Sequence, residues 1–171
     1  MPTNPELIKL CKLWDELTEK LKEMGLYDFM DYNALFCKME GDEAELRVGG
    51  SPGHVAHVHY GERRLEYYDN RMYVDEAVKR LMEGRAKARC EIAMEMGQVI
   101  GVKCEDIKDL EEAFKVLAFA TSMHARIEDP DYYYGPNLEK LDVECRIKEP
   151  IDREVCAVNK LLKKLEERLK S

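Results

Sequence analysis

Between Ala34 and Tyr73 apolar residues alternate with polar ones in short runs separated by turn residues, and this period of two dictates β-structure for the middle of the chain. Leu35, Cys37 and Met39 alternate with Phe36 and Lys38, and Ala44, Leu46 and Val48 alternate with Glu45 and Arg47. Gly41-Asp42 between the two runs is a short hairpin signal. Gly49–Gly53 reads as a loop, His54–Tyr60 as a third strand, Gly61-Glu62 as a turn and Arg64–Tyr68 as a fourth strand. Asp69-Asn70 is a further turn before Met72-Tyr73-Val74. The expectation is an antiparallel meander over about residues 34–74.

Helical periods lie on both sides of it. Leu7, Leu10, Trp14, Leu17, Leu21 and Met24 form one stripe over residues 5–24, with Thr3 or Asn4 as cap, Pro5 in the first turn and Gly25 at the end. After the meander, Asp75 is expected to cap a long helix carrying Val78, Leu81, Ala88, Ile92 and Met96, which Gly97 and Gly101 weaken near its end. A shorter helix starting near Asp106 or Asp109 carries Leu110, Phe114 and Leu117. Alternation returns at Met123–Ile127 and Leu141–Ile147, which predicts a second hairpin at about 123–147. Beyond Pro150 a last helix repeats Ile151, Val155, Val158, Leu162, Leu165 and Leu169, with Leu161 widening the stripe. Strands grouped together and helices grouped together imply a single α+β domain over residues 1–171, with N-terminal, central and C-terminal helices flanking the strands. No glycine-rich turn of the dinucleotide or P-loop kind occurs.

Composition excludes some partners. The chain of 171 residues carries a formal charge of −8, and its basic residues are concentrated only in the last helix, interleaved there with Glu166 and Glu167. Nucleic acid and anionic membrane surfaces need clustered positive charge, so neither is an expected partner. No apolar run approaches the length of a bilayer span and the first residues lack a signal-peptide pattern, so the expected location is cytoplasmic. Cysteines 11, 37, 90, 104, 145 and 156 never form C-x-x-C. In a cytoplasmic chain they are expected to be reduced, buried thiols, although abundant Glu and Lys suit a thermophile, and hyperthermophiles do use intracellular bridges.

Three places could carry chemistry. His57 and His59 share one face of a strand, so two imidazoles stand ready for a divalent transition metal such as zinc, with His54, Glu62 and Glu66 as further ligand candidates. The same pattern also describes the solvated outer face of a sheet. Glu91 and Glu95, four apart on the expected long helix, are a carboxylate pair, but no Glu-x-x-His accompanies them and the solvated edge of the stripe accounts for them. Tyr132, Tyr133 and Tyr134 lie in the Asp129–Asn137 loop and offer a ligand lid or partner contact, or a structural loop tucked on the sheet. Cysteine–histidine catalysis would bring Cys37, Cys145 or Cys156 to His124 or His57, and no spacing selects such a pair. The short segment from the strand ending at Cys145 to Cys156 resembles small ligand-binding domains of the vinyl-reductase 4 type; no specific motif matches, and the resemblance assigns no residue a role.

These observations favour a module that binds a protein partner or a small ligand, and the terminal helices offer the seam of a homodimer. Two alternatives stand beside it: a metal-dependent enzyme at His57 and His59, and an assembly protein built through its first and last helices. The stripe of the last helix must be buried somewhere, either on the chain's own first helix or sheet, or on a second copy.

Overall fold

The computed structural model describes residues 2–23, 37–47, 55–68, 72–120, 144–145 and 147–170. His54, Tyr132, Tyr133, Tyr134, His124, the Met123–Ile127 strand and the Asp129–Asn137 loop lie outside the described residues.

Helix α1 (Pro5–Glu23) begins as the sequence implies. Asn4 caps it, its Oδ1 accepting from the Glu6 amide at 2.8 Å and its carbonyl accepting from Leu7 and Ile8. Such a cap contributes about 1 kcal/mol. The same residue ties the helix to the first hairpin: Asn4 Nδ2 donates to Asp42 Oδ1 at 2.9 Å, and its amide donates to the Gly41 carbonyl at 3.0 Å.

The meander is present as β1 (Cys37–Glu40), β2 (Glu43–Arg47), β3 (Val55–His59) and β4 (Arg64–Tyr68), all antiparallel neighbours. Gly41 takes φ 58 at the first loop position between β1 and β2, where a glycine is favoured. Helix α2 then runs Met72–Arg85, so it starts before Asp75, which sits buried in its first turn, and it stops well before Ile92. The long helix expected over this region is instead α2 plus a hairpin, β5 (Arg89–Glu95) and β6 (Gln98–Glu105). Lys87 adopts φ 55 just past α2, while the Ala86 and Ala88 amides both donate to the Met82 carbonyl. This is a left-handed helix stop built on lysine where glycine is usual, so the sequence does not advertise it. Met96 (φ 52) and Gly97 (φ 79) both lie in the left-handed region, as the tight two-residue hairpin turn requires. Gly97 thus serves a hairpin rather than weakening a helix.

A further hairpin of the fold thus lies at 89–105; of the hairpin expected at 123–147, residues 123–143 lie outside the described residues, and residues 144–145 are helical. Asp109 starts α3 (Leu110–Ala120), its Oδ1 accepting from the Glu112 amide at 3.2 Å. The last helix, α4, spans Pro150–Leu169 with proline in its first turn.

The sheet order is β1-β2-β3-β4-β6-β5. Ala44, Leu46, Ala56, Val58, Leu65, Tyr67, Val102 and Cys104 are buried on one face. The helices cover that face. α3 is the most buried of them, with Leu110, Ala113, Phe114 and every residue of Val116–Ala120 withdrawn from water, and it contacts α1, α2 and α4. Arg85 joins three helices at the solvent edge, donating to Glu112, Asn159 and Glu166 at 2.9, 3.0 and 3.0 Å. Lys115 reaches Glu112 and Glu166 at 3.2 and 3.5 Å. Burial alone would lower the Lys115 ammonium, but its hydrogen bond to Glu112 and the charges of both carboxylates outweigh that and raise it.

The expectation of reduced cysteines is overturned, and of the two places open to the α4 stripe one is chosen. All six cysteines are paired, as Cys11–Cys37, Cys90–Cys104 and Cys145–Cys156, with Cα atoms 5.7, 4.1 and 5.6 Å apart. Long-range packing makes these pairs, and spacing alone does not reveal them. No helix among the described residues is long and apolar enough to cross a membrane. The stripe of α4 is also consumed inside the chain. Val158, Leu161, Leu162 and Leu165 are fully buried or nearly so, and α4 packs chiefly on α2 with a smaller contact to α1. The helical seam that motivated a homodimer is therefore core.

Thiol titration of denatured, unreduced protein should find no free cysteine, and reduction should lower the denaturant midpoint, each bridge contributing about 3 kcal/mol on the chain-entropy account. Six titratable thiols in freshly purified protein would remove the bridges from this fold. The double substitution Leu162→Glu and Leu165→Glu should abolish helical circular dichroism at room temperature, because burying two charges in this core exceeds about 5 kcal/mol. A folded double variant would place the stripe at an interface instead.

Candidate functional site

The face of the sheet opposite the helices is polar, and strand register determines how its side chains are grouped. In one row across the whole sheet, Lys38, Glu45, His57, Glu66, Lys103 and Glu91 are successive cross-strand neighbours. Directly opposed side chains on one face lie about 5 Å apart at Cβ, close enough to interact. A second row carries Glu40, Glu43, His59 and Arg64. The sequence expectation that His57 and His59 share a face is met. Their row partners on β1 and β2 were not singled out from sequence. The alternation Glu43, Glu45, Arg47 held the signal, but the register of β3 against β2 is set across residues 48–54 and needs the fold.

His57 is exposed at the centre of its row, between Glu45 and Glu66. His59 is half-buried, and its Nδ1 lies 3.1 Å from Glu43 Oε1. The two carboxylates expected as metal ligands are held elsewhere. Arg64 Nε donates to Glu62 at 2.9 Å and its Nη1 donates to Glu66 at 3.1 Å. The Glu62 hydrogen bond, outweighing partial burial, raises the Arg64 guanidinium above its ordinary value. Among the described residues no group of three His, Cys, Asp or Glu side chains is arranged to hold a metal ion.

Glu91 and Glu95 stand on β5, not on a helix. Glu91 faces Lys103 across the hairpin, while Glu95 pairs with Gln98 beyond an irregularity between Ala93 and Met94. They do not converge as an acid–base pair. Cys37, Cys145 and Cys156 are all in disulfides, so none is a thiolate for His57 to activate.

One end of the open face is closed by an aromatic ring. A Cβ at Gly101 would collide with the Tyr67 carbonyl and the Tyr68 ring, so only glycine lets Tyr68 lie across β6. Burial, with the Glu66 charge beside it, pushes the Tyr68 phenol above its ordinary value.

The depressions on the surface are shallow. One, of about 120 Å³, lies over β1–β3 and is lined by Lys38, Glu40, Glu43, Glu45, His57 and His59 among others. Another, of about 220 Å³, lies over β5 and β6 beside Arg89, Glu91, Lys103 and Glu105. A third, of about 280 Å³, lies where the starts of α1 and α3 meet the β3–β4 turn. There Arg63, itself at φ 51, donates to the carbonyls of Ile107 and Lys108 at 2.5 and 2.7 Å.

Comparison with protein-family models, with curated proteins and with solved structures finds no match for this chain. The short resemblance around Cys145 and Cys156 is therefore not extended by any of them.

Two substitutions separate the structural from the dispensable positions on this face. Gly101→Ala should destabilise the protein by about 2 kcal/mol or more, since the added methyl meets backbone that cannot yield. His57→Ala should change stability by less than about 0.5 kcal/mol, because its ring is exposed. Urea unfolding of both variants tests this; equal costs would mean that the open face is packed in a way the strand register does not describe.

Proposed function

We propose that the protein is a binding module that engages a basic segment of a protein partner through the β1–β3 half of its open sheet face. The observation that carries this reading is the gathering of three carboxylates, Glu40, Glu43 and Glu45, at one depression of that face. Over β4, β6 and β5 the signs alternate along each strand, Arg64 with Glu66, Glu105 with Lys103, and Arg89 with Glu91, with Glu95 at the far end of β5. Around the depression over β1–β3, Glu40, Glu43 and Glu45 gather about Lys38 and two imidazoles, with Glu45 also paired to Arg47 at 3.6 Å and Glu43 to His59 at 3.1 Å, so carboxylates outnumber the fixed cations by three to two. Lysine or arginine side chains of a partner would find carboxylates there at strand spacing, which is the arrangement that steers and orients a complementary charged surface.

Shape favours a flat partner over a small molecule. Typical ligand pockets hold roughly 300–1,000 Å³ and are mostly apolar. The depression at His57 and His59 measures about 120 Å³ and is lined largely by charged groups. Among the described residues no third ligand joins these histidines, and the carboxylates nearest them are engaged by Arg64, His59 or Arg47.

The test is reconstitution. A partner captured on the wild-type protein would be identified, purified and titrated against Glu43→Lys/Glu45→Lys and, as a control on the β4–β6–β5 half, Glu91→Lys. The double variant should weaken binding at least about tenfold, with a shallower salt dependence, and the control should not. A folded double variant that binds as tightly as wild type would rule out this half of the face.

A further inference from the structure

The two edges of the sheet differ. β1 is four residues long with Lys38, Met39 and Glu40 exposed, and a short charged edge strand is a common guard against pairing with another chain. β5 runs seven residues, Arg-Cys-Glu-Ile-Ala-Met-Glu, with neither proline nor lysine and no buried residue. Among the described residues its only strand neighbour is β6.

The direction of its backbone groups follows from its pairing. Cys90 stands opposite Cys104 with Cα atoms 4.1 Å apart, the close spacing of a pair that exchanges no backbone hydrogen bonds. The amide and carbonyl of Cys90 therefore point away from β6. By the period of two, so do those of Ile92, which pairs with Val102. Both residues present donors and acceptors to the open edge. Ala93 pairs with Gly101 and Met94 with Val99, so the extra residue of the irregularity, Ile100, belongs to β6 and the β5 backbone runs on. Beside these groups Ile92 is only half-buried and Met94 is 61% exposed.

The order of charges along β5 is self-complementary in one register. Laid antiparallel on itself about Ile92, the strand sets Arg89 against Glu95, Cys90 against Met94, and Glu91 against Ala93. The next registers that keep both helix layers on the same side are centred on Glu91 or on Ala93. The first opposes Glu91 to itself and the second opposes Glu91 to Glu95, and like charges directly opposed are destabilising.

We propose that β5 pairs with β5 of a second copy of this chain across a two-fold axis at Ile92, joining the two six-stranded sheets into one. The contact is isologous, so each Arg89–Glu95 pair occurs twice. Arg89 is accessible for it: its guanidinium, 72% exposed, donates to Glu105 at 2.7 Å and retains further donors. The pairing covers Ile92 and Met94 and satisfies the outward amides of Cys90 and Ile92, as in other complexes made by strand addition. It uses neither the α4 stripe, which is core, nor the β1–β3 half of the open face.

Sedimentation and amide exchange test it together on the intact, oxidised protein. Wild type should sediment as a dimer, and the Ile92 amide should become protected as concentration rises. Ile92→Pro removes the outward N–H without touching the β5–β6 ladder, and should give a folded monomer. Glu95→Arg opposes two guanidinium groups at each end and should weaken the dimer about tenfold or more. If Ile92→Pro fails to fold, Glu95→Arg and the exchange of Ile92 decide the matter. A wild type that stays monomeric up to about 1 mM overturns the proposal. So does a dimer whose Ile92 amide exchanges equally at all concentrations, or one that Glu95→Arg leaves unchanged.

Discussion

Burial of one face of the sheet against a helix layer centred on α3 is the constraint on which the rest of this structure depends. α3 is apolar nearly all round and can exist only if α1, α2 and α4 enclose it. Those helices must in turn lie on the sheet, because their own stripes are narrower than a full circumference. Trp14, Phe114, Phe119 and Tyr67 fill the space between. With the helices committed to one side, the opposite face of every strand is left for charged side chains. The polar rows through His57 and His59 are thus a consequence of the core before they are anything else.

The periphery is fastened where packing is thinnest. Edge strands contact one neighbour instead of two, and each edge strand here carries a disulfide: Cys37 of β1 to α1, and Cys90 of β5 to β6. The third bridge attaches Cys145 to α4. Beside it Lys160 donates to Glu144, a hydrogen bond that holds that exposed carboxyl below its ordinary value. At the opposite corner Asn4, Asp42 and Gly61 bring the start of α1 and two hairpin turns together; Asp42 accepts from the Tyr60 amide at 2.8 Å, and a Cβ at Gly61 would press on its carboxylate. Polar ties of this kind orient elements more than they stabilise them, since much of each interaction replaces one with water.

The open face therefore has two characters set by one register. Along its β4–β6–β5 half the charges alternate in sign, and in its β1–β3 half Glu40, Glu43 and Glu45 cluster at one depression. The same register directs the free backbone groups of β5 outward. The surface proposed for a charged partner and the edge proposed for a second copy are thus separate, and neither obstructs the other.

How much of this was legible depended on whether the signal was local. The period of two through β1–β4, the Gly41-Asp42 turn, the cap at Asn4 and the start of α3 at Asp109 were readable because each is decided by residues within a few positions of one another. So was the shared face of His57 and His59. The boundary between α2 and β5 was not. Lys87 and Met96 occupy left-handed positions where glycine or asparagine would have marked a stop and a turn, and tertiary packing bears that cost. Cys90, Ile92 and Met94 alternate as a strand, yet Ile92 and Met96 also continue a helical spacing, so only the vacant place beside β6 resolves the ambiguity. Disulfide partners and the burial of the α4 stripe are relations that no single stretch of sequence states. Sequence by itself determined which residues had to leave water and with what period; only the tertiary structure decided what they met there, because contact between remote segments is a property of the closed chain and not of any stretch of it.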